Sequence, residues 1–253
     1  MSNPVYYIEP DEMGSLEVGS TFCLVGEEGH HARTVKRAEV AEGIDLVDGL
    51  GNRAVSQVQE ITPDGLVLTV LSLAQDQQGV SFYLVQALAK GDRDIQAIEM
   101  ATELGAHGIV PWSADRSIVR WKMERAVKAR TKWQNTVRAA AKQSRRAVLP
   151  PVYDQHSTAD LAELAEELGD TALFLVLHED ADYRLTEALQ VHLSPAVQEV
   201  YVLVGPEGGI SPRELDVLTQ AGAKTVLLGP EVLRSSTAGA AALSALNCAL
   251  GRW

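Results

Sequence analysis

From Val80 to the end of the chain, short apolar runs alternate with helix-period stretches, and that rhythm leaves few architectures open. "VSFYLVQAL" is followed by the helical "DRDIQAIEMATELG", and "HGIVPW" by one or two basic helices over about Met123 to Arg146. "TALFLVLHED", "EVYVLVGPEGG" and "KTVLLG" read as further strands; "STADLAELAEELG", "SPRELDVLTQAG" and the Ala/Leu run Thr237 to Leu250 read as further helices. Strands separated by helices pair in parallel, and a parallel sheet has both faces covered, so the region reads as α/β. The start of "SPRELDVL" is the strongest helix signal: Ser211 as N-cap, Pro212 at the first helical position and Glu214 three residues after the cap. Ser157 and Asp160 make a similar pair, and Gly105 sits where a helix C-terminus needs a left-handed residue.

Residues 1 to 72 have a different grain. "VYYI", "STFCLVG", "GIDLVDG", "RAVSQVQEI" and "GLVLTVLSL" are divided by Gly, Pro and Asp turns, the signature of a small all-β barrel or sandwich. "VDGLGN" (Val47 to Asn52) is a hairpin turn, since Gly49 and Gly51 accept positive φ. His30 and His31 fall at the start of a strand, and "LAQDQQG" (Leu73 to Gly79) is the linker. The boundaries are therefore 1–72 for the β domain and 79–253 for the α/β domain.

Composition enters mainly through charge. The 253 residues carry a net charge of −12, which taken alone speaks against a nucleic-acid partner. Between Lys90 and Arg146, however, 13 Lys/Arg face 6 Asp/Glu, while the remainder has 9 against 28. A basic segment in an acidic chain is a local electrostatic footprint for phosphates. The N-terminus lacks the pattern of a secretory signal, and no run of eighteen apolar residues occurs, so a cytoplasmic protein is expected. Cys23 and Cys248 show no metal spacing and read as plain buried thiols.

Three strand ends carry unusual sequence: "LHED" (Leu177 to Asp180), "VGPEGG" (Val204 to Gly209) and "LLGPEVLRSSTAG" (Leu227 to Gly239). Ligands of open α/β sheets lie outside the carboxyl ends of the strands. Gly205, Gly208 and Gly209 remove side chains where a backbone or ligand must come close, and Pro206 stiffens the turn. Phosphate-loop, dinucleotide and nucleophile-elbow patterns are all absent. His178, Glu179 and Asp180 invite a metal reading, but adjacent strand residues point to opposite faces, so no metal is expected.

"LVGPEGGISPREL" followed by "LLGPEVLRSSTAGAAAL" resembles the ribosomal RNA small-subunit methyltransferase E family, knotted SPOUT-class enzymes that methylate N3 of a uridine in 16S rRNA. "HHARTVKR", "VDGLG", "KGDRDIQAIEMATELGAHGIVPWSADRSIVRW" and "AAKQSRRAVLPPV" extend the resemblance, in order, over nearly the whole chain. It implies a PUA-like β-barrel that helps bind RNA, a SPOUT-type parallel sheet whose C-terminal segment makes a trefoil knot, S-adenosyl-L-methionine as cofactor, and a homodimer. The pattern is not intact: the family usually has Arg where Glu231 stands and Glu where Ser236 stands, whereas Arg234 and Thr237 match.

On this resemblance Leu177, Gly205, Pro206, Glu207, Gly208, Leu228, Gly229, Leu233, Ser235 and Thr237 are the candidate cofactor contacts, and Arg234 and Glu207 the candidate catalytic residues. Uracil N3 is a poor nucleophile until its proton is lost, so a cation beside the cofactor is the natural stabiliser of the developing anion, and Arg234 is the first choice. Glu207 either serves the base, by orienting it or taking its proton, or bonds to neighbouring amides. Arg33, Arg37, Arg93, Arg116, Arg120, Arg145 and Arg146 are the candidate RNA contacts, while Trp112, Trp121 and Trp133 read as core, with base stacking as the alternative. Leu243, Leu246 and Leu250 mark one face of the last helix as packing at or near a dimer interface. Three functions stay open at this level: the uridine N3-methyltransferase of small-subunit rRNA, a SPOUT enzyme with another RNA or base, and a non-catalytic RNA-binding factor whose site decayed at Glu231 and Ser236.

Overall fold

The computed structural model describes residues 3–76 and 79–253. The chain forms two compact units: Met1–Gln77 together with Ala141–Leu149, and Gln78–Ala140 together with Pro150–Trp253. The boundaries read from the sequence do not contain the excursion Ala141–Leu149, which packs with the first unit.

The first unit is a five-stranded sheet in the order β1-β3-β4-β5-β2, formed by β1 (Val5–Tyr7), β2 (Thr21–Leu24), β3 (Gly43–Val47), β4 (Asn52–Thr62) and β5 (Gly65–Gln75). All pairings are antiparallel except β1 with β3. The five apolar runs each supply a strand, and Gly49 and Gly51 turn the chain at φ +79° and +104° between β3 and β4. Tyr6, Ile44, Leu46, Leu66 and Leu68 fill one side. On another, Val5, Tyr7 and Val47 pack with Ala141 and Ala147, and the Tyr7 hydroxyl donates to the Arg146 carbonyl at 3.0 Å.

The unit is not all-β. α1 (Pro10–Gly14) and α2 (Gly26–His30) interrupt it, and a π-helical turn follows at His31–Val35. His30 and His31 therefore lie in helical backbone rather than at a strand start; "HHARTV" lacks the alternation a half-buried strand needs, and only Ala32 is sunk into the core. β5 also runs through Leu73 to Gln75, which read as linker; residues 77–78 lie outside the described part.

The second unit holds β6 (Ser81–Ala87), α3 (Arg93–Glu103), β7 (Gly108–Trp112), α4 (Glu124–Gln143, except its last three residues, which fall in the first unit), α5 (Thr158–Leu168), β8 (Ala172–Leu177), α6 (Leu185–His192), β9 (Glu199–Val204), α7 (Pro212–Gln220), β10 (Lys224–Val226) and α8 (Ser235–Ala249). Its strands are parallel throughout, in the order β10-β8-β9-β6-β7. Both expected capping boxes form: Ser157 with Asp160, and Ser211 with Glu214. Gly105 takes φ +91° just after α3. The stretch from Met123 to Arg146 yields one helix rather than two. α6 was not anticipated. The edge strand β7 is covered by an extended segment that bonds to it at Pro151, Tyr153 and His156.

On one face, α5 and α7 cover Val85, Trp112, Phe174, Tyr201 and Leu203. On the other, α8 lies so close to β6 that a Cβ on Gly239 would come within 2.7 Å of Leu84 Cδ1. Leu243 and Leu246 are fully buried in the core of the unit, not offered to a partner as read from the sequence. Trp112 and Trp133 are core residues, and Trp121 meets Trp133 edge-on at 5.0 Å. Cys23 and Cys248 are exposed free thiols, correcting the expectation that they are buried; Cys23 sits on the solvent side of β2, and Cys248 faces outward in the last turn of α8. Among the described residues no helix is long and apolar enough to cross a membrane.

Phe174, Tyr201 and Tyr83 are direct neighbours across β8, β9 and β6, and their rings stack with centroids 4.4 and 4.5 Å apart. Glu199 accepts hydrogen bonds from the Tyr83 and Tyr201 hydroxyls at 3.1 and 2.9 Å. Burial, and then this carboxylate, push both phenols well above their ordinary range.

Candidate active site

β10, β8 and β9 are adjacent, so the loops leaving their carboxyl ends converge. After β9 the chain turns through Gly205–Ile210 into α7. A Cβ on Gly205 would stand 2.7 Å from Ile210 Cγ1, and Gly209 has φ +72°, so a side chain at the first would displace Ile210 and one at the second would strain the backbone. After β10, the segment Leu227–Arg234 leads to α8, with Arg234 as its N-cap. After β8 come His178, Glu179 and Asp180. Together the three loops line a cavity of about 800 Å³, which Arg93 joins from the start of α3 and Arg116 from the loop after β7. Such a volume lies within the range of small-molecule sites.

The charged groups on this cavity differ in what already holds them. Glu207 Oε1 accepts from the Lys90 main-chain N–H and from Arg93 Nη1, each at 3.1 Å. Arg116 Nη1 donates to the Gly208 carbonyl at 3.1 Å. The Arg234 guanidinium makes no hydrogen bond or ion pair among the described residues. The Ser235 hydroxyl is buried in the lining with no hydrogen-bond partner. His178 Nδ1 accepts from the Asp180 N–H at 3.2 Å. Because β8 ends at Leu177, the strand alternation expected to separate His178, Glu179 and Asp180 does not apply, and all three line the cavity. Among the described residues no group of three His, Cys, Asp or Glu side chains is placed to hold a metal ion.

The Gly-rich turn is braced by a network the sequence did not suggest. Glu214, fully buried, accepts from the Asp115 N–H and the Thr158 hydroxyl, both at 2.8 Å, and from the Ser211 N–H at 3.0 Å. Trp112 Nε1 donates to the Thr158 hydroxyl at 3.1 Å. The Asp115 carboxylate accepts from the Ser211 hydroxyl and, through both oxygens, from Arg213. These bonds, Ser211 first and Arg213 next, hold the Asp115 carboxyl below its ordinary 3.8. Arg120, read as an RNA contact, donates to Ser113 Oγ and to the Ala114 and Asp115 carbonyls, and so shapes the same loop. The only trace of this in the sequence is Glu214 itself, whose capping-box role hides its long-range one.

Of the other expected cofactor contacts, Leu177, Pro206, Leu228, Gly229 and Leu233 lie on the cavity. Thr237 does not line it; it is exposed in the first turn of α8, its N–H bonded to the Arg234 carbonyl at 2.9 Å. Arg33, Arg37, Arg145 and Arg146 belong to the first unit. Arg33 donates to the Thr62 and Pro63 carbonyls and closes the β4–β5 turn. Arg37 and Arg145 are exposed at positive φ, 53° and 59°. Arg146 is half-buried, and burial pushes its guanidinium down to about 10.

Comparison with known proteins agrees with this architecture. Residues 76–247 match the family model of an RNA methyltransferase domain, and residues 24–71 that of an RNA methyltransferase PUA domain. The ribosomal RNA small subunit methyltransferase E of Mycobacterium bovis is 41% identical over 241 residues, 94% of this chain and 90% of that protein. The Bacillus subtilis protein of the same name is 31% identical over 247 residues, 96% and 95% of the two chains. A crystal structure of a ribosomal RNA small subunit methyltransferase E from Neisseria gonorrhoeae, bound to S-adenosyl methionine, matches with a TM-score of 0.81 at 26% identity, over 98% of each chain. The parallel sheet with its looped carboxyl edge is thus an RNA methyltransferase domain accompanied by a PUA domain. The chain belongs to the ribosomal RNA small subunit methyltransferase E family.

Proposed function

We propose that the protein transfers a methyl group from S-adenosylmethionine to N3 of a uridine in small-subunit ribosomal RNA, with the cavity at the ends of β8, β9 and β10 as its active site. The observation that carries this reading is the convergence of three loops on one cavity with a glycine-built floor and the uncommitted guanidinium of Arg234 on its wall. The residues present fit the cofactor. The turn at Gly205 to Gly209 is bare of side chains, save Pro206 and Glu207, where a ligand must approach, and the buried Ser235 hydroxyl lacks a partner that a ligand would supply.

In this reading Leu177, Gly205, Pro206, Gly208, Leu228, Gly229, Leu233 and Ser235 hold the cofactor, mainly by main-chain and apolar contact, with Thr237 supporting the loop from α8. When bound, the cofactor supplies an electrophilic methyl group on a sulfonium. Arg234 stabilises the negative charge that develops on the uracil ring as N3 loses its proton. Glu207, tied through Oε1 to Arg93 and Lys90, keeps its other oxygen for orienting the base or receiving that proton. N3 lies on the pairing edge, so the base enters unstacked. Arg93 and Arg116 meet the RNA at the cavity, and Arg33, Arg37, Arg120, Arg145 and Arg146 serve the rest of the strand. A C-terminal trefoil knot, a homodimer and a cytoplasmic setting belong to the same proposal.

Calorimetric titration with S-adenosylmethionine and S-adenosylhomocysteine, against ATP and NAD, tests the cofactor. Selective binding of the first pair is expected; equal or absent binding of all four overturns it. Mapping the methyl group on small-subunit RNA then tests the base, and a label anywhere but uridine N3 overturns that part.

A further inference from the structure

Two residues near the start of α8 have no role so far, Glu231 in the loop before it and Ser236 in its first turn. Ser236 is buried and does not line the cavity. Glu231 does line it, and its carboxylate folds back over the bare backbone of the loop: Oε2 lies 3.8 Å from where a Cβ on Gly229 would stand. It makes no hydrogen bond or ion pair among the described residues. Glu207, in contrast, is already bonded to Arg93.

Four residues on, Ser235 places a buried, unpartnered hydroxyl on the same lining. Ser235 also opens α8, a helix of 15 residues, and the first amides of such a helix favour a carboxylate. An exposed carboxylate and a buried hydroxyl, neither with a partner among the described residues, therefore lie four residues apart, one in the loop and one at the start of α8. An amino-acid zwitterion presents the complement of both, an ammonium and a carboxylate.

We infer that Glu231 and Ser235 form a subsite for the amino-acid end of the cofactor, Glu231 accepting from its α-ammonium and the Ser235 hydroxyl, with the first amides of α8, donating to its α-carboxylate. This rests on the cofactor proposed above and goes beyond it, because it assigns one end of that molecule to two side chains of this loop.

The test is calorimetry on the full chain with S-adenosylmethionine, S-adenosylhomocysteine and 5′-methylthioadenosine, which keeps the adenosine and thioether but lacks the amino-acid end. The unaltered protein is expected to prefer S-adenosylhomocysteine to methylthioadenosine. Glu231→Gln is expected to weaken S-adenosylmethionine and S-adenosylhomocysteine alike by about tenfold, the scale of one charge-assisted hydrogen bond, and to leave methylthioadenosine unchanged. Ser235→Ala is expected to lower S-adenosylhomocysteine affinity by about threefold with the same selectivity. Undiminished preference in both variants overturns the subsite while leaving the cofactor reading in place. A loss confined to S-adenosylmethionine also overturns it, since Glu231 then serves the sulfonium; so does an equal loss for all three compounds. An unaltered protein that binds none of them removes the cofactor reading and the subsite together.

Discussion

Arg116 donates from Nη1 to the carbonyl of Gly208 at 3.1 Å, and a Cβ built on Gly208 would stand 3.1 Å from the Cβ of the same arginine. The loop after β7 and the turn after β9 thus meet almost backbone to backbone. Gly208→Ala must push them apart, and Gly205→Ala must displace Ile210, which lies closer still. Overpacking of this kind costs about 1–3 kcal/mol. Each variant is expected to weaken S-adenosylhomocysteine binding by about tenfold or more, read by calorimetry, with Gly205→Ala the worse of the two.

Arg234 contributes charge to the cavity, and its guanidinium is tied to no other described residue. Arg234→Ala is expected to abolish methyl transfer to small-subunit RNA while cofactor affinity changes little. Incorporation of a labelled methyl group, measured beside calorimetry, checks both halves. Full turnover by the variant would take Arg234 out of the chemistry.

Glu214 is the buried hub of the brace, with three donors aimed at its two oxygens. In Glu214→Gln one oxygen becomes an amide NH₂, so at least one donor loses its acceptor. A cost of about 1–3 kcal/mol is expected, seen as a lower urea midpoint at unchanged m-value. An unshifted midpoint would mean that the brace contributes nothing to stability.

Asp115 sets an acid limit. Its carboxyl is held below the ordinary 3.8 by Ser211 and Arg213, so just below that value the unfolded chain binds more protons than the folded one. The stabilisation is present above 3.8 and lost as pH falls through the folded value. Urea midpoints followed from about pH 5 down to about pH 3 should therefore fall less steeply for Asp115→Asn than for the unaltered chain. Parallel slopes would show that the Arg213 contact stabilises nothing.

Arg145 and Arg146 are not equivalent probes of RNA contact. Arg146 is half-buried, so reversing its charge perturbs the first unit itself, whereas Arg145 is exposed. Arg145→Glu is expected to weaken RNA binding and reduce the salt dependence by about one phosphate contact, with cofactor affinity intact. Filter binding across a salt series checks this; an unchanged slope would exclude Arg145 from the interface.

What could be read beforehand was mostly local. The Ser157–Asp160 and Ser211–Glu214 caps are written within four residues, and both form as read. The parallel sheet followed from alternation, and the convergence of loops from the fact that ligands gather at the carboxyl ends of such strands. Failures arose where distance in sequence was large or signal short. Nothing in "AAKQSRRAVL" announces that Ala141–Leu149 packs beside Val5 and Tyr7. Asp115 meets Arg213 from 98 residues away, so neither half predicts the other. The turn at His31–Val35 is too short for periodicity to separate helix from strand.

The stacked rings of Phe174, Tyr201 and Tyr83 also have a meaning for how the sheet is assembled. They mark a common rung on three strands, two of which deliver loops to the cavity at their other ends. If β9 slipped by a single residue, Tyr201 and Glu199 would turn together to the opposite face and leave Tyr83 and Phe174 behind. The same slip would shift Gly205 and the turn after it relative to the end of β8. The ladder is thus an alignment mark: mispairing that would spoil the cavity is penalised by the ring stack on the three inner strands of the sheet.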